Sequence, residues 1–201
     1  ALNLGTVSAG QNFSATSGGA ITDSGVITVA GTGTFVTDVN DIDIVLDSDN
    51  AITGALTFTT QTSGSTNGAD ITFDNGSTAI SLAAFTTEGD LTLKTDAAIA
   101  LTGHNVQGDL SVTSAGAITQ SAALTVSGTS GFTSTGTNTN ITLSTDSNAL
   151  TGAVSAVTAG TSGDVTIDNG TTALNLGTLT ANGDLSIRGG NGITDSGVIT
   201  V

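Results

Sequence analysis

A right-handed parallel β-helix is the fold that this sequence predicts, and three observations predict it. Residues 21–29 (Ile-Thr-Asp-Ser-Gly-Val-Ile-Thr-Val) recur letter for letter at 193–201, and Ala-Leu-Asn-Leu-Gly at 1–5 recurs at 173–177, both displaced by 172 positions. Inside that unit, short segments alternating polar and aliphatic residues return at spacings of 19 to 31, several of them at 19–20. No stretch sustains a 3.6-residue period, so helices are expected to be absent or incidental. A rung of about 20 residues built of two or three short strands, stacked at about 4.8 Å, is the arithmetic of a β-helix. Each unit of such a repeat buries its end against the next copy.

The organisation follows from the repeats. Residues 1–172 form one tandem unit and 173–201 begin the next, as a continuous solenoid without an independent domain boundary. The unit is itself a diverged duplication, with halves near 1–78 and 79–172. Ala20-Ile-Thr-Asp-Ser and Ala117-Ile-Thr-Gln-Ser lie 97 apart, and Asp74-Asn-Gly and Asp168-Asn-Gly lie 94 apart. The three-residue difference is placed between Leu46 and Ile71, in loops.

Strand by strand, the first buried apolar residues are Phe13, Ile44, Ile71, Leu91, Leu110, Ile141, Val165 and Leu185, and these are the expected inward positions. Ile42, Ile44 and Leu46 alternate with Asp41, Asp43 and Val45. Leu91 and Leu93 alternate with Thr92 and Lys94, and Leu185 and Ile187 with Ser186 and Arg188. Alternation of this kind gives one buried and one wet face. Matched positions in the two halves keep apolar side chains, as an interior column requires: Phe13 with Leu110, Phe73 with Ile167, Phe85 with Leu179. Seven to nine rungs per unit advance roughly 33–43 Å. The alternative architecture is a string of immunoglobulin-like sandwiches, against which stand the 19–20-residue grain and the absence of Trp, Tyr and Pro.

Composition narrows the function. Pro, Cys, Met, Trp and Tyr are absent, and Gly, Ser, Thr, Asn, Asp and small aliphatics supply nearly everything else. Thr, Val and Ile suit pleated surfaces, whereas Gly, Asn and Asp suit tight corners. Hydrophobic residues at 37% against 9% charged place the chain on the ordered side of the balance. A net charge of −15, with Lys94 and Arg188 the only Lys and Arg, repels phosphate backbones and anionic lipid. Nucleic acid is therefore not an expected partner. Without a run of about 18 apolar residues, membrane insertion of this segment is not expected either. Without Cys there is neither a disulfide nor thiol chemistry.

The candidate chemistry sits in one acidic stretch. Asp41 and Asp43 project to one face of an extended strand, with Asp47 and Asp49 at the following corner. Several carboxylates close together suit Ca²⁺, so these four are the candidate metal ligands. Their order is not that of an EF-hand loop, and the other half-unit has Asn138 and Asn140 in place of Asp41 and Asp43. Both facts favour solvated corner carboxylates. No other cofactor is expected. Asn-Gly at 75–76 and 169–170 reads as a turn signal. Lys94 and Arg188 occupy matched positions, each preceded by Asp90 or Asp184, and a bridge between them across a corner would be a surface contact of about 0–1 kcal/mol, so they read as solvating charges. His104, the single His, lies in a Thr-Gly-His-Asn turn. With no second His and no Cys, neither a zinc site nor a Ser-His-Asp triad beyond one His can be assembled. Sugar-cleaving β-helices use paired carboxylates, commonly beside aromatic platforms and cations that this chain lacks, so an enzyme is not expected. The threonine pairs Thr57-Phe-Thr59 and Thr178-Leu-Thr180 resemble ice-binding arrays, but gaps of 19 to 31 are expected to break their register.

Gly89-Asp-Leu-Thr-Leu, Gly108-Asp-Leu-Ser-Val-Thr-Ser-Ala-Gly-Ala-Ile-Thr and Asn182-Gly-Asp-Leu-Ser-Ile resemble the repeat regions of large bacterial surface exoproteins such as filamentous haemagglutinin. That resemblance implies a β-helical shaft exported to the cell surface, as an extracellular fibre or adhesin stalk. Its expected partners are neighbouring units end to end and other fibres laterally. The competing expectation is a ligand- or glycan-binding module, displayed on the longer excursions around Thr32–Asn40 and Thr129–Asn140.

Overall fold

The computed structural model describes residues 1–64, 68–145 and 147–201. Among them there is no helix. Short strands, every pair of them parallel, wind into a β-solenoid of about ten turns. Parallel stacking excludes the sandwich alternative, whose sheets are antiparallel.

One ladder runs the length of the molecule. It joins Leu2–Leu4, Ile21–Asp23, Ile44–Leu46, Ile71–Asp74, Leu91–Thr95, Leu110–Ser114, Ser130–Thr137, Ala153–Ala159, Leu174–Thr180 and Ile193–Asp195. Two further sheets flank it: Phe13–Ser17, Gly33–Asn40 and Leu56–Gln61 stack as the third strands of the lower rungs, and Ile99–Thr102, Ile118–Ala122, Ile141–Leu143, Val165–Asp168 and Leu185–Arg188 stack as the second strands of the upper ones. Between them, Leu82 bridges down to Leu56 and Ile80 bridges up to Ile99. Short strands close the turn: Val7–Ala9, Ile27–Val29 and Ala51–Ile52 in the lower rungs, and Thr86–Thr87, Asn105–Val106, Thr125–Val126 and Ala149–Leu150 in the upper ones.

Eight steps of the long ladder carry Leu2 through Ile21, Ile44, Ile71, Leu91, Leu110, Ser130 and Val154 to Leu176. One 172-residue unit is therefore eight rungs, about 38 Å long at about 4.8 Å per rung. Most surplus residues leave the ladder as loops, although the eight steps end at Leu176, two residues beyond Leu174, the repeat of Leu2. The unequal spacing thus displaces the register, by less than gaps of 19 to 31 would suggest. The outward row itself is nevertheless mixed, reading Thr22, Val45, Thr72, Thr92, Ser111, Gly131 and Ser155.

The eight expected inward residues do not share one column. Ile44, Ile71, Leu91 and Leu110 stack on the long ladder, Ile141, Val165 and Leu185 stack in the five-stranded sheet of the upper rungs, and Phe13 lies in the three-stranded sheet of the lower ones. Six of them are buried, while Phe13 and Leu185 are half-buried near the ends. The two spacings of 31 are each a full turn plus part of another. The half-unit duplication explains them: stepping 97 residues from Ile44 takes four rungs up to Ser130 and then on to Ile141, in a different sheet. The halves are thus related by four turns plus one strand of the next, and matched residues lie in different sheets.

Within the core, side chains pack directly above their equivalents. Phe13, Phe35, Phe58 and Phe85 form an axial row with successive ring centroids 6.0, 5.7 and 6.1 Å apart, and His104 continues it 4.8 Å beyond Phe85. Phe73 leans onto Phe58 from the neighbouring face at 5.4 Å. These separations lie in the range where aromatic pairs add to simple burial. Of the segments expected to be excursions, Thr32–Asn40 is largely the strand Gly33–Asn40, with a register shift between Val36 and Asn40, and Thr129–Asn140 is strand over Ser130–Thr137, with a shift between Ser134 and Thr137.

Candidate functional site

The acidic stretch is dispersed by the corner that it builds. Asp41 and Asp49 adopt left-handed backbone conformations, with φ of 57° and 45°, which Asp tolerates better than most residues. Asn138, the half-unit equivalent of Asp41, does the same at 60°. Asp41 accepts the Ser63 hydroxyl at 2.7 Å. Asp43 accepts the Asp70 N–H at 3.0 Å, and the Asp47 N–H donates to Asp23 at 3.1 Å. Asp49 lies 3.8 Å from the Lys94 ammonium. Among the described residues, no group of three or more His, Cys, Asp or Glu side chains stands close enough to hold a metal ion. Chelation of divalent cations is accordingly expected to leave the thermal unfolding midpoint unchanged. A fall of several degrees in EDTA, reversed by Ca²⁺, would show that these carboxylates share an ion.

The Gly-Asp-Leu phrases prove to be rung-to-rung joints. Asp43 Oδ1 accepts the N–H of Asp70, Asp70 that of Asp90, Asp90 that of Asp109, and Asp109 that of Thr129, at 3.0, 2.7, 2.7 and 2.6 Å. The other half repeats the device, with Asn140 accepting the Asp164 N–H and Asp164 the Asp184 N–H, both at 2.9 Å. Each side chain thereby satisfies a backbone donor at the entry to the strand above, where an unpaired donor would be costly. The Gly is demanded by the same geometry. A Cβ at Gly89, Gly108, Gly128 or Gly183 would overlap the carboxylate of Asp70, Asp90, Asp109 or Asp164 on the rung below.

At another corner, four Asn side chains turn inward. Asn75 and Asn169 are fully buried. Asn75 accepts the Ile52 N–H at 2.9 Å and donates to the carbonyls of Ile52 and Ala79 at 3.0 and 3.1 Å. Asn169 makes the same three bonds to Leu150 and Ala173. Asn50 and Asn148 likewise accept the N–H groups of Ile27 and Leu124. In each Asn-Gly pair the positive φ belongs to the Gly, 50° at Gly76 and 56° at Gly170, while the Asn serves as a clamp between rungs. The 94- and 98-residue separations within these two Asn pairs were the signal available in the sequence.

The cations pair with a rung below rather than with the preceding Asp. Lys94 and Arg188 bond Asp74 and Asp168, the acidic members of the two Asp-Asn-Gly corners, which are their direct partners across the ladder. The Asp74 hydrogen bond raises the Lys94 pKa, and the Arg188 hydrogen bond holds Asp168 below the usual carboxylate value. Both cations are more than half exposed, so these contacts contribute little to stability.

His104 is 1% exposed and ends the aromatic row. The Thr102 N–H points at its Nε2 from 3.4 Å, which leaves Nδ1 to carry the proton without a partner. Burial pushes the imidazole pKa from 6.5 down to about 4. Between those values the unfolded chain binds a proton that the folded chain refuses, so stability rises with pH across the window and this contribution is flat above it. The full difference is about 3 kcal/mol. Urea unfolding of His104→Leu and of the unsubstituted protein at pH 7 and pH 4.5 is expected to show a smaller acid loss in the variant. Equal losses would contradict the assignment.

A family model described as repeats of unknown function (DUF5649) matches residues 1–59, 88–157 and 162–201. No curated protein and no solved structure matches the chain.

Proposed function

The chain belongs to this family of repeats, and from that premise we propose that it is a structural segment of a long shaft, carried on the bacterial surface as an extracellular fibre or adhesin stalk of the filamentous-haemagglutinin kind. The observation that carries the reading is continuity across the repeat boundary. Leu174–Leu176 pair with Ile193–Asp195 as Leu2–Leu4 pair with Ile21–Asp23, and Leu179 meets Ile199 as Val7 meets Ile27. A second unit thus begins on the ladder of the first without a break in pairing. The polar groups support a passive role. Carboxylates and amides at the corners are spent on joining rungs, and the one His is sealed under a Phe ring, so the reading is non-catalytic. Sparse Lys and Arg leave few sites for trypsin-like proteases in an exposed fibre. Antibodies against the purified repeat, applied to intact cells of the source organism and viewed by immuno-electron microscopy, are expected to decorate surface filaments. Label found only after the cells are opened would overturn the reading.

A further inference from the structure

The same nine residues occupy two settings in this molecule. Residues 21–29 and 193–201 are identical and rest on equivalent lower strands. Above 21–29, the strands Ile44–Leu46 and Ala51–Ile52 add in parallel, and Ile21, Ile27 and Val29 are 0% exposed. Their copies Ile193, Ile199 and Val201 are 48%, 42% and 75% exposed. The edge at 193–201 thus repeats one that elsewhere in the chain already holds an identified pair of strands.

One side chain reads that incoming pair. The Asp23 carboxylate accepts the N–H groups of Asp47 and Ser48 at 3.1 and 3.3 Å, the Ser48 hydroxyl at 3.1 Å and the Asn50 side-chain amide at 2.7 Å. Asn50 in turn accepts the Ile27 N–H at 2.7 Å. The half-unit duplicate shows the same arrangement independently. Gln120, which matches Asp23, exchanges bonds of 2.8 and 2.9 Å with Asn148, and Asn148 accepts the Leu124 N–H. Asp195 is the third instance of this position, and it is exposed.

We propose that the edge formed by residues 193–201 is a strand-acceptor site whose occupant is a rung of the 30–61 sequence type, supplied by a following repeat, and that Asp195 sets its register. The proposal rests on the fibre reading above and deepens it by naming what the edge selects. Parallel backbone pairing alone tolerates slippage, and a shift of one residue turns every buried side chain outward. A carboxylate that grips the Ser and the Asn of an Asp-Ser-Asp-Asn corner accepts one register and rejects its neighbours.

The test compares the 201-residue chain with the same chain carrying a second copy of residues 30–61 after Val201, by hydrogen exchange resolved at Ile193 and Ile199. Their counterparts Ile21 and Ile27 donate to the Asp43 carbonyl and to Asn50 of the rung above. Appending the rung is expected to slow exchange at both amides about 100-fold. In the extended chain, Asp195→Ala is expected to return about tenfold of that protection, while in the 201-residue chain it changes little. Asp195→Gln, the residue type at position 120, is expected to keep the protection. The proposal falls if the native extension protects neither amide, if a scrambled extension protects them equally, or if Asp195→Ala has no effect in the extended chain. It also falls if the unextended chain protects them by self-association, because a second copy would then be the occupant. None of these results bears on whether the repeat decorates surface filaments, so the two readings fail separately.

Discussion

Replacing Asn75 with Asp is expected to destabilise the protein by about 3–5 kcal/mol at pH 7, a loss of the size that accompanies an uncompensated buried charge. The native amide accepts one backbone N–H and donates to two carbonyls, all on fully buried ground. A carboxylate keeps the first bond, loses both donations and faces the oxygens of Ile52 and Ala79. Protonation restores one donor, so the deficit relative to the native protein should shrink as pH falls. Asn169→Asp meets the same surroundings at Leu150 and Ala173 and should behave alike. Urea unfolding at pH 7 and pH 5 measures both effects. A loss below about 1 kcal/mol at pH 7 would mean that the clamp is dispensable.

Phe58→Ala should cost about 3–5 kcal/mol, the usual penalty for emptying a large aromatic site. Phe58 is the hub of the aromatic row, with ring centroids 5.4 to 6.1 Å from those of Phe35, Phe73 and Phe85. Phe85, half-buried, should cost less. Because each rung of a solenoid contacts only its neighbours, the damage should be local. Exchange protection is expected to fall in Gly33–Asn40, Leu56–Gln61 and Ile71–Asp74, and to persist in Ile141–Leu143 and Val165–Asp168. Uniform loss over all of these strands would show that the solenoid unfolds as one cooperative block.

Much of this architecture was legible from the residues. The 172-residue return, the alternation in Leu91-Thr92-Leu93-Lys94 and the recurrent Gly-Asp-Leu phrase were sufficient to predict stacked parallel strands. The phase of the turns was not legible. In a solenoid the neighbour of a residue lies one turn away, and turns on the long ladder here vary between 19 and 27 residues. A spacing of 31 therefore does not say whether it spans a long turn or a turn and part of another. The joints were hidden for a related reason. Asn75 followed by Gly76 resembles any tight turn, and nothing local indicates that its amide reaches the backbone of Ile52, 23 positions earlier. Asp90 precedes Lys94 on the same face of the strand, but four extended residues hold them about 13 Å apart, whereas Asp74 stands directly opposite Lys94 on the rung below. The acidic stretch 41–49 looked like one cluster because its residues are close in sequence. The corner geometry sends them to different partners.

The claim that the 172-residue unit is an eight-rung step of a continuous shaft is tested most directly by length. Proteins of one, two and three complete units, measured by electron microscopy or solution scattering, should lengthen by about 38 Å per added unit at constant cross-section. Their aligned fibres should diffract at about 4.8 Å along the axis. Growth in thickness, jointed beads with flexible necks, or an axial increment unrelated to eight rungs would contradict it.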